Sequence, residues 1–285
     1  MEKIGKDEIL ALIALMADDD RFVIETVDRK VQNMTLDQVG FMAEMVYDMA
    51  KSLQDRTILY RMSDLSAEVV IAHLERELSD PYPDINNALY LLTRLVKPFL
   101  KREEFDSTYI PIVEQIAMEL HHDGSPLENM EILNHIFFDR CDFKITLDIN
   151  RGMDALTIDS LFKIKCGFPP LMMVSYLFVA RNVGIPLYPI MLQGAGLCVA
   201  YLHNGEVIFV ADPSNGGRMF SVKQLKENLQ KFSNGKKWDE QQLKGTPDDK
   251  MIIWLYLDSL SHFAAVKKNE ALLKILKKAS YRLFR

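Results

Sequence analysis

The chain has 285 residues, 48% of them apolar and 26% charged, with a net charge of −6 from 34 Lys and Arg against 40 Asp and Glu. This composition excludes a disordered, collagen-like or disulfide-stapled protein, and the length allows one large domain or two modest ones with proper cores. The acidic balance argues against nucleic acid as a partner, because phosphate binding needs a net basic face.

The first half reads as helical. Ile9, Leu10, Ile13 and Met16 lie on one helical face within residues 6–16. Asp18 to Asp20 interrupt the pattern, and a second helix follows over 21–32. Thr35 has the chemistry of an N-cap for a run carrying Val39, Met42, Ala43 and Val46. Ser63 or Ser66 is expected to cap a helix through Leu78, and the Asp80-Pro81-Tyr82-Pro83-Asp84 cluster breaks the chain. Helices over 85–100, 108–121 and 126–138 complete the array, with no repeat of fixed period.

The pattern changes after about residue 140. Two helices are expected, over 155–165 and 169–183, and then strands over 187–192, 197–202 and 207–211. Asn204-Gly205 between the last two is a hairpin signal, since a type I′ turn needs positive φ at both positions. Gly216-Gly217 marks another turn, and Ser221 can cap a helix through Phe232. Residues 233–249 are polar and read as a loop, followed by closing helices over 250–267 and 270–284. The expected class is therefore α+β. It divides into a helical region 1–125, a mixed core 126–232, and a loop with a helical hairpin over 233–285.

Cys141, Cys166 and Cys198 are odd in number and form no Cys-x-x-Cys pair, which favours a reducing compartment and argues against a zinc site. The N-terminal apolar run is short and does not read as a signal peptide, and no stretch approaches the ~20 apolar residues that span a bilayer. A cytoplasmic protein with no membrane span, no metal and no cofactor is expected. The Gly-x-Ser-x-Gly, His-Glu-x-x-His, Gly-x-Gly-x-x-Gly and P-loop signatures are all absent. Gly194-Ala195-Gly196 leads into a strand, so no helix N-terminus follows to cradle phosphate. His121-His122-Asp123 reads as a solvated helix end, because adjacent helical residues point about 100° apart and chelate poorly.

Four ordered segments carry a family resemblance: LNHIFFDRCDF (133–143), KIKCGFPPLMMVSYLFVARNVGIPL (163–187), LQGAGLCVAYL (192–202) and FVADPSNGGRMF (209–220). In order and spacing, Asn134 with Phe137-Phe138, Gly167-Phe168-Pro169, Tyr176-Leu177, Ala180-Arg181, Gly184-Ile185-Pro186 and Asp212-Pro213-Ser214-Asn215-Gly216-Gly217 resemble the bacterial SirB-type branch of the transglutaminase-like superfamily. The resemblance implies a papain-like core. It also implies a Cys-His-Asp triad, in which a helix N-terminus lowers the thiol pKa, a strand histidine takes the proton and an aspartate orients the imidazole.

Carried over position by position, the nucleophile slot falls at Pro169, where that branch commonly has proline. The histidine slot falls on or next to Gly196, and the aspartate slot at Asp212. Proline has no nucleophile and glycine no base, so Asp212 remains as a remnant of the triad. The resemblance then implies a non-catalytic binding or scaffold protein with an unidentified protein partner. The alternative is a hydrolase or acyltransferase using a relocated thiol. Cys166 lies three residues before the nucleophile slot. Cys198 shares a strand face with Gly196 by the period-two rule and would face the site if Gly196 does. His203, at the turn end of its strand, is the nearest histidine in sequence. Asp212 also has a plain structural reading as a turn residue whose carboxylate accepts backbone N–H groups. The basic, amphipathic segment 267–285 reads as the solvated face of a packed helix, or as a contact surface for protein or membrane.

Overall fold

The computed structural model describes residues 5–50, 57–121, 124–148, 152–192, 196–203, 206–232 and 248–284. His122-Asp123, Gly194-Ala195, Asn204-Gly205 and residues 233–247 of the loop expected over 233–249 lie outside the described residues. The chain is α+β and divides into two compact units, one formed by residues 1–104 with 268–285 and the other by residues 105–267.

The first unit is helical. It contains α1 (Lys6–Leu15), α2 (Arg21–Gln32), α3 (Leu36–Ala50), α4 (Thr57–Ser79) and α5 (Ile85–Val96). Short polar side chains set the boundaries. Asp20 accepts from the Phe22 N–H to start α2, and Thr35 and Gln38 exchange side-chain and backbone bonds to start α3. Asp84 accepts from Asn86 and Asn87 to start α5. The helix expected to start at Ser63 or Ser66 begins earlier, at Thr57, and Ser66 is buried within it. The reason is packing: Ile58, Leu59, Met62, Leu65 and Val69 join one buried cluster with Ile9, Val31 and Met42, which holds the extra turns as helix.

Arg61 closes this cluster from α4, donating to the Met16 and Ile24 carbonyls and to Asp28 at 2.6 Å. The last helix of the chain, Glu270–Leu283, belongs to this unit too.

The second unit holds the strands. Its helical part comprises α6 (Arg102–Glu119, whose first residues lie across the boundary) and α7 (Pro126–Asn134). The chain continues from α7 into a π-helical turn at His135–Arg140, closed by the Cys141 N–H on the Ile136 carbonyl. The helix expected over 155–165 is instead a 3₁₀ turn at Met153–Leu156 followed by α8 (Ile158–Ile164). The break is stabilised by the Thr157 hydroxyl donating to Asp159 and by the Ile158 N–H donating to the Tyr256 hydroxyl, all buried.

Two short parallel strands were not foreseen: β1 (Lys144–Ile145) and β2 (Cys166–Gly167) pair with each other on either side of α8. Then come α9 (Pro169–Asn182), β3 (Leu187–Leu192), β4 (Gly196–His203), β5 (Glu206–Asp212) and β6 (Arg218–Ser221), which form an antiparallel sheet in sequence order. α10 (Val222–Phe232) starts on a Ser221–Gln224 capping pair, and α11 (Asp249–Val266) packs on α9, joined to it by the Arg181–Asp249 ion pair at 2.6 Å. α12 is the Glu270–Leu283 helix of the first unit.

α9 is buried along its whole middle, from Leu171 to Ala180. Such a helix, apolar on every side, belongs inside a domain. Its Phe178 meets Phe105, Tyr109 and Phe162, while Phe137 stacks on Phe143 at 4.1 Å between ring centroids. The far face of the sheet makes a second buried cluster of Tyr188, Ile190, Cys198, Ala200 and Val210, covered by Leu225 of α10.

Candidate functional site

The N-terminus of α9 and one end of the sheet enclose a cavity of about 240 Å³ lined by Pro169, Pro170, Met173, Leu197, Asp212 and Ser214. Pro169 and Asp212, two of the residues singled out from sequence, are brought together here. Gly196 is exposed at the start of β4 with φ +83°, and a Cβ built on it meets nothing within 4 Å. The residue of β4 that lines the cavity is Leu197, one position further on. The registers Met191↔Leu197 and Ile190↔Cys198 put Leu197 and Cys198 on opposite faces, so Cys198 points into the cluster under α10. The same alternation, applied from Leu197 rather than Gly196, is the sequence signal that identifies the lining residue.

The thiols are placed apart from the cavity lining. Cys198 is buried, and burial first, then the negative charge of Asp212, pushes its thiol up to about 12. The register Val199↔Ala211 sets Cys198 opposite Asp212. Cys166 is half-buried in β2, paired with Lys144. Cys141, half-buried after the π-helical turn, also has its thiol pushed up by burial, against a smaller opposing effect of Lys165. A neutral thiol is a poor nucleophile. His203 is exposed at the opposite end of β4, and none of the described residues lining the cavity is a histidine.

The N-cap of α9 is Phe168, with no side-chain bond, and its first two residues are prolines. Prolines suit the first turn but have no N–H, so Leu171 is the first helical residue with a donor to offer a developing negative charge. Asp212, at the end of β5, accepts the Ser214 N–H at 2.9 Å through Oδ1, and its carbonyl accepts the Gly217 N–H at 3.0 Å. Its carboxylate thus closes an Asx turn. Among the described residues, no three of His, Cys, Asp and Glu group as metal ligands, and no helix is long and apolar enough to cross a membrane.

Beside the cavity lies a latch. The Asn134 amide donates to the Gly217 carbonyl at 2.9 Å and accepts the Tyr176 hydroxyl at 2.5 Å. Tyr176 is fully buried, and desolvation pushes its phenol far above the ordinary range. Phe138 stacks on the Tyr176 ring at 5.5 Å. Gly217 has φ +72°, and a Cβ there would stand 2.1 Å from Asn134 Oδ1 and 2.8 Å from Phe138. Only glycine fits this close approach. The Asn, Tyr and Gly-Gly motifs therefore meet in space, although they are more than 80 residues apart at the extremes, because Asn134 reaches across to Gly217 (a separation of 83).

The sequence profile of the transglutaminase-like superfamily matches residues 108–255, just over half of the chain. The chain belongs to the transglutaminase-like superfamily. The latch and the cavity both fall within this transglutaminase-like segment. The chain is also 27% identical over 165 residues to a UPF0162 protein of Xylella fastidiosa strain 9a5c, and equally to its counterpart in strain Temecula1. Each match covers 58% of this chain and 52% of the relative, so the chain spans about half the length of the curated relatives it matches. No solved structure matches it.

Proposed function

We propose that this transglutaminase-like chain is a non-catalytic binding or scaffold protein of the bacterial SirB-type branch, working in the cytoplasm by holding a protein partner. The carrying observation is the cavity itself: Pro169 and Leu197 line it beside Asp212, with no thiol and no imidazole among the described residues that line it. Gly196, the other residue of the base slot, has no side chain to offer. The two prolines that open α9 withdraw the N–H donors an oxyanion would need. The thiol chemistry required by the hydrolase or acyltransferase alternative is disfavoured at Cys198 by burial, and Cys166 is not among the described residues that line the cavity.

Labelling with iodoacetamide, read by mass spectrometry, combined with a panel of peptidase, amidase and amine-transfer substrates tests this reading. The expected result is no turnover and no cysteine that reacts faster than a free thiol. Stoichiometric labelling of one cysteine together with turnover would overturn it, and loss of both in Cys166→Ala or Cys198→Ala would name the nucleophile.

A further inference from the structure

We propose that Cys141 and Lys165 form a self-acylation site, where the Cys141 thiol takes an acyl group from a small thioester and hands it to the Lys165 amine. The pair lies outside the cavity lining, so the inference goes beyond the binding reading and does not rest on it. Both backbones are fixed. The Cys141 N–H closes the π-helical turn on the Ile136 carbonyl at 2.8 Å. Lys165 follows α8 in the left-handed region at φ +55°. Its N–H donates to the Leu161 carbonyl at 2.8 Å, and its carbonyl accepts the Lys144 N–H at 2.9 Å. The pairing of β1 with β2 thus sets Lys165 against the segment that follows Cys141. The Lys165 ammonium folds back over the Phe143 ring, 4.4 Å from its centroid and two residues after Cys141. Phe143 is itself held by stacking on Phe137.

Thiol and ammonium are close enough there to act on each other's charge. Other charged groups of the turn are engaged with partners of their own: Arg140 with Glu119, Lys144 with Asp142 at 2.7 Å, and His135 with Asp139 at 3.1 Å. Cys141 and Lys165 are both half-buried, which leaves access for a small donor. Burial holds the Lys165 ammonium below the ordinary lysine range, so more of it is the neutral amine that attacks carbonyl carbon. Burial raises the Cys141 thiol, with the Lys165 and Arg140 charges opposing it, so capture is the slower step. A small thiolate fraction suffices, because sulfur is intrinsically very nucleophilic. In capture, Sγ bonds to the donor's carbonyl carbon, the bond from that carbon to the donor sulfur breaks, and the donor thiolate leaves and takes the proton that Cys141 gave up. In transfer, Nζ bonds to the same carbon, its bond to Cys141 Sγ breaks, and a proton passes from nitrogen to sulfur. One thioester and one amine become one amide and one thiol, with no oxidant. The thioester on Cys141 makes the second step intramolecular, an advantage that direct attack on a donor from solution lacks.

The test incubates the full chain with S-acetyl-N-acetylcysteamine at pH 8 and follows acetylation of each lysine by peptide mass spectrometry. Lys165 is expected to gain acetyl at least tenfold faster than the exposed Lys274 and Lys277. In Cys141→Ser the Lys165 rate is expected to fall at least tenfold. N-hydroxysuccinimidyl acetate, which acylates amines directly, is expected to label Lys165 in that variant as in the unaltered chain. Lys165→Arg is expected to leave the acetyl group on Cys141, from which hydroxylamine releases it. Lys165 acetylation from the thioester no faster than at Lys274 and Lys277 would overturn the inference. So would a rate unchanged in Cys141→Ser, or no hydroxylamine-labile acetyl in Lys165→Arg. If Cys141→Ser also loses labelling by the direct ester, the substitution has disturbed the site and the Lys165→Arg trap decides. The acetyl group stays on the chain, one per molecule, so the outcome is separate from the turnover test above.

Discussion

The latch and the cavity are built on the same helix, yet they have opposite character. Around Gly217 the Asn134 amide and the Tyr176 hydroxyl are hydrogen-bonded, the Phe138 and Tyr176 rings stack, and a single added carbon would collide. Around Pro169 the walls are apolar, Gly196 has open space, and one carboxylate lacks an ion-pair partner among the described residues. Asn134, Tyr176 and Gly217 thus hold distant parts of the chain together. Recognising the framework and assigning a reaction are separate inferences, and in this molecule the first does not carry the second.

The largest effect that can break this contrast is expected at Gly217. Gly217→Ala forces a Cβ to 2.1 Å from Asn134 Oδ1 at a positive φ, and should cost about 4 kcal/mol or more in denaturant melts. Gly196→Ala at similar φ meets no atom, and should cost only about 1–2 kcal/mol. Equal losses at the two glycines would remove the distinction between a packed and an open region.

Asn134→Ala comes next. It strips the partner from the buried Tyr176 hydroxyl and from the Gly217 carbonyl together, a loss of about 2–3 kcal/mol by the same melts. Tyr176→Phe, which leaves only the Asn134 oxygen unpaired, should cost less.

Alkaline pH probes the packed side further. The folded Cys198 thiol titrates at about 12 against an ordinary 9.0, so the proton is held more tightly in the folded chain. The stabilisation is full below pH 9 and is lost as pH rises through the window from 9 to about 12, by up to about 1.4 kcal/mol per pH unit. The raised Tyr176, Tyr188 and Tyr201 phenols act in the same direction. Cys198→Ala should flatten that part of the stability–pH curve, and iodoacetamide at pH 8 should leave Cys198 unmodified in the folded protein. Rapid labelling there would move Cys198 from the packed side to the open one.

The smallest effect is expected in the helical unit. Arg282 of α12 bonds to Glu68 and Glu75 of α4, but these side chains are 31%, 23% and 35% exposed. Arg282→Ala should cost no more than about 1 kcal/mol, and the loss should shrink further in high salt.

Much of this was legible from short-range chemistry. Thr35 and Ser221 cap helices as their residue types require, and Gly216 and Gly217 adopt the positive φ expected of them. The two-residue strands β1 and β2 were not legible, because a pair of hydrogen-bonded residues has no periodicity to read. The early start of α4 was hidden because polar Ser63 and Ser66 resemble caps, while the cluster around Met42 and Val69 outweighs that local preference. At the site, Pro169 and Asp212 were identified by position. Leu197 was not, because the choice between neighbouring residues on a strand depends on which face the sheet turns inward.

The amino-acid sequence by itself determined the α+β class and most helix limits. These follow from periodicity, capping and residue type, which act over a few positions. The tertiary structure alone decided that Asn134, Tyr176 and Gly217 form one hydrogen-bonded unit. It also decided that Leu197 rather than Cys198 lines the cavity, and that α12 joins α4. Each depends on partners brought together from distant parts of the chain, where burial and close packing choose among faces that local rules leave equivalent.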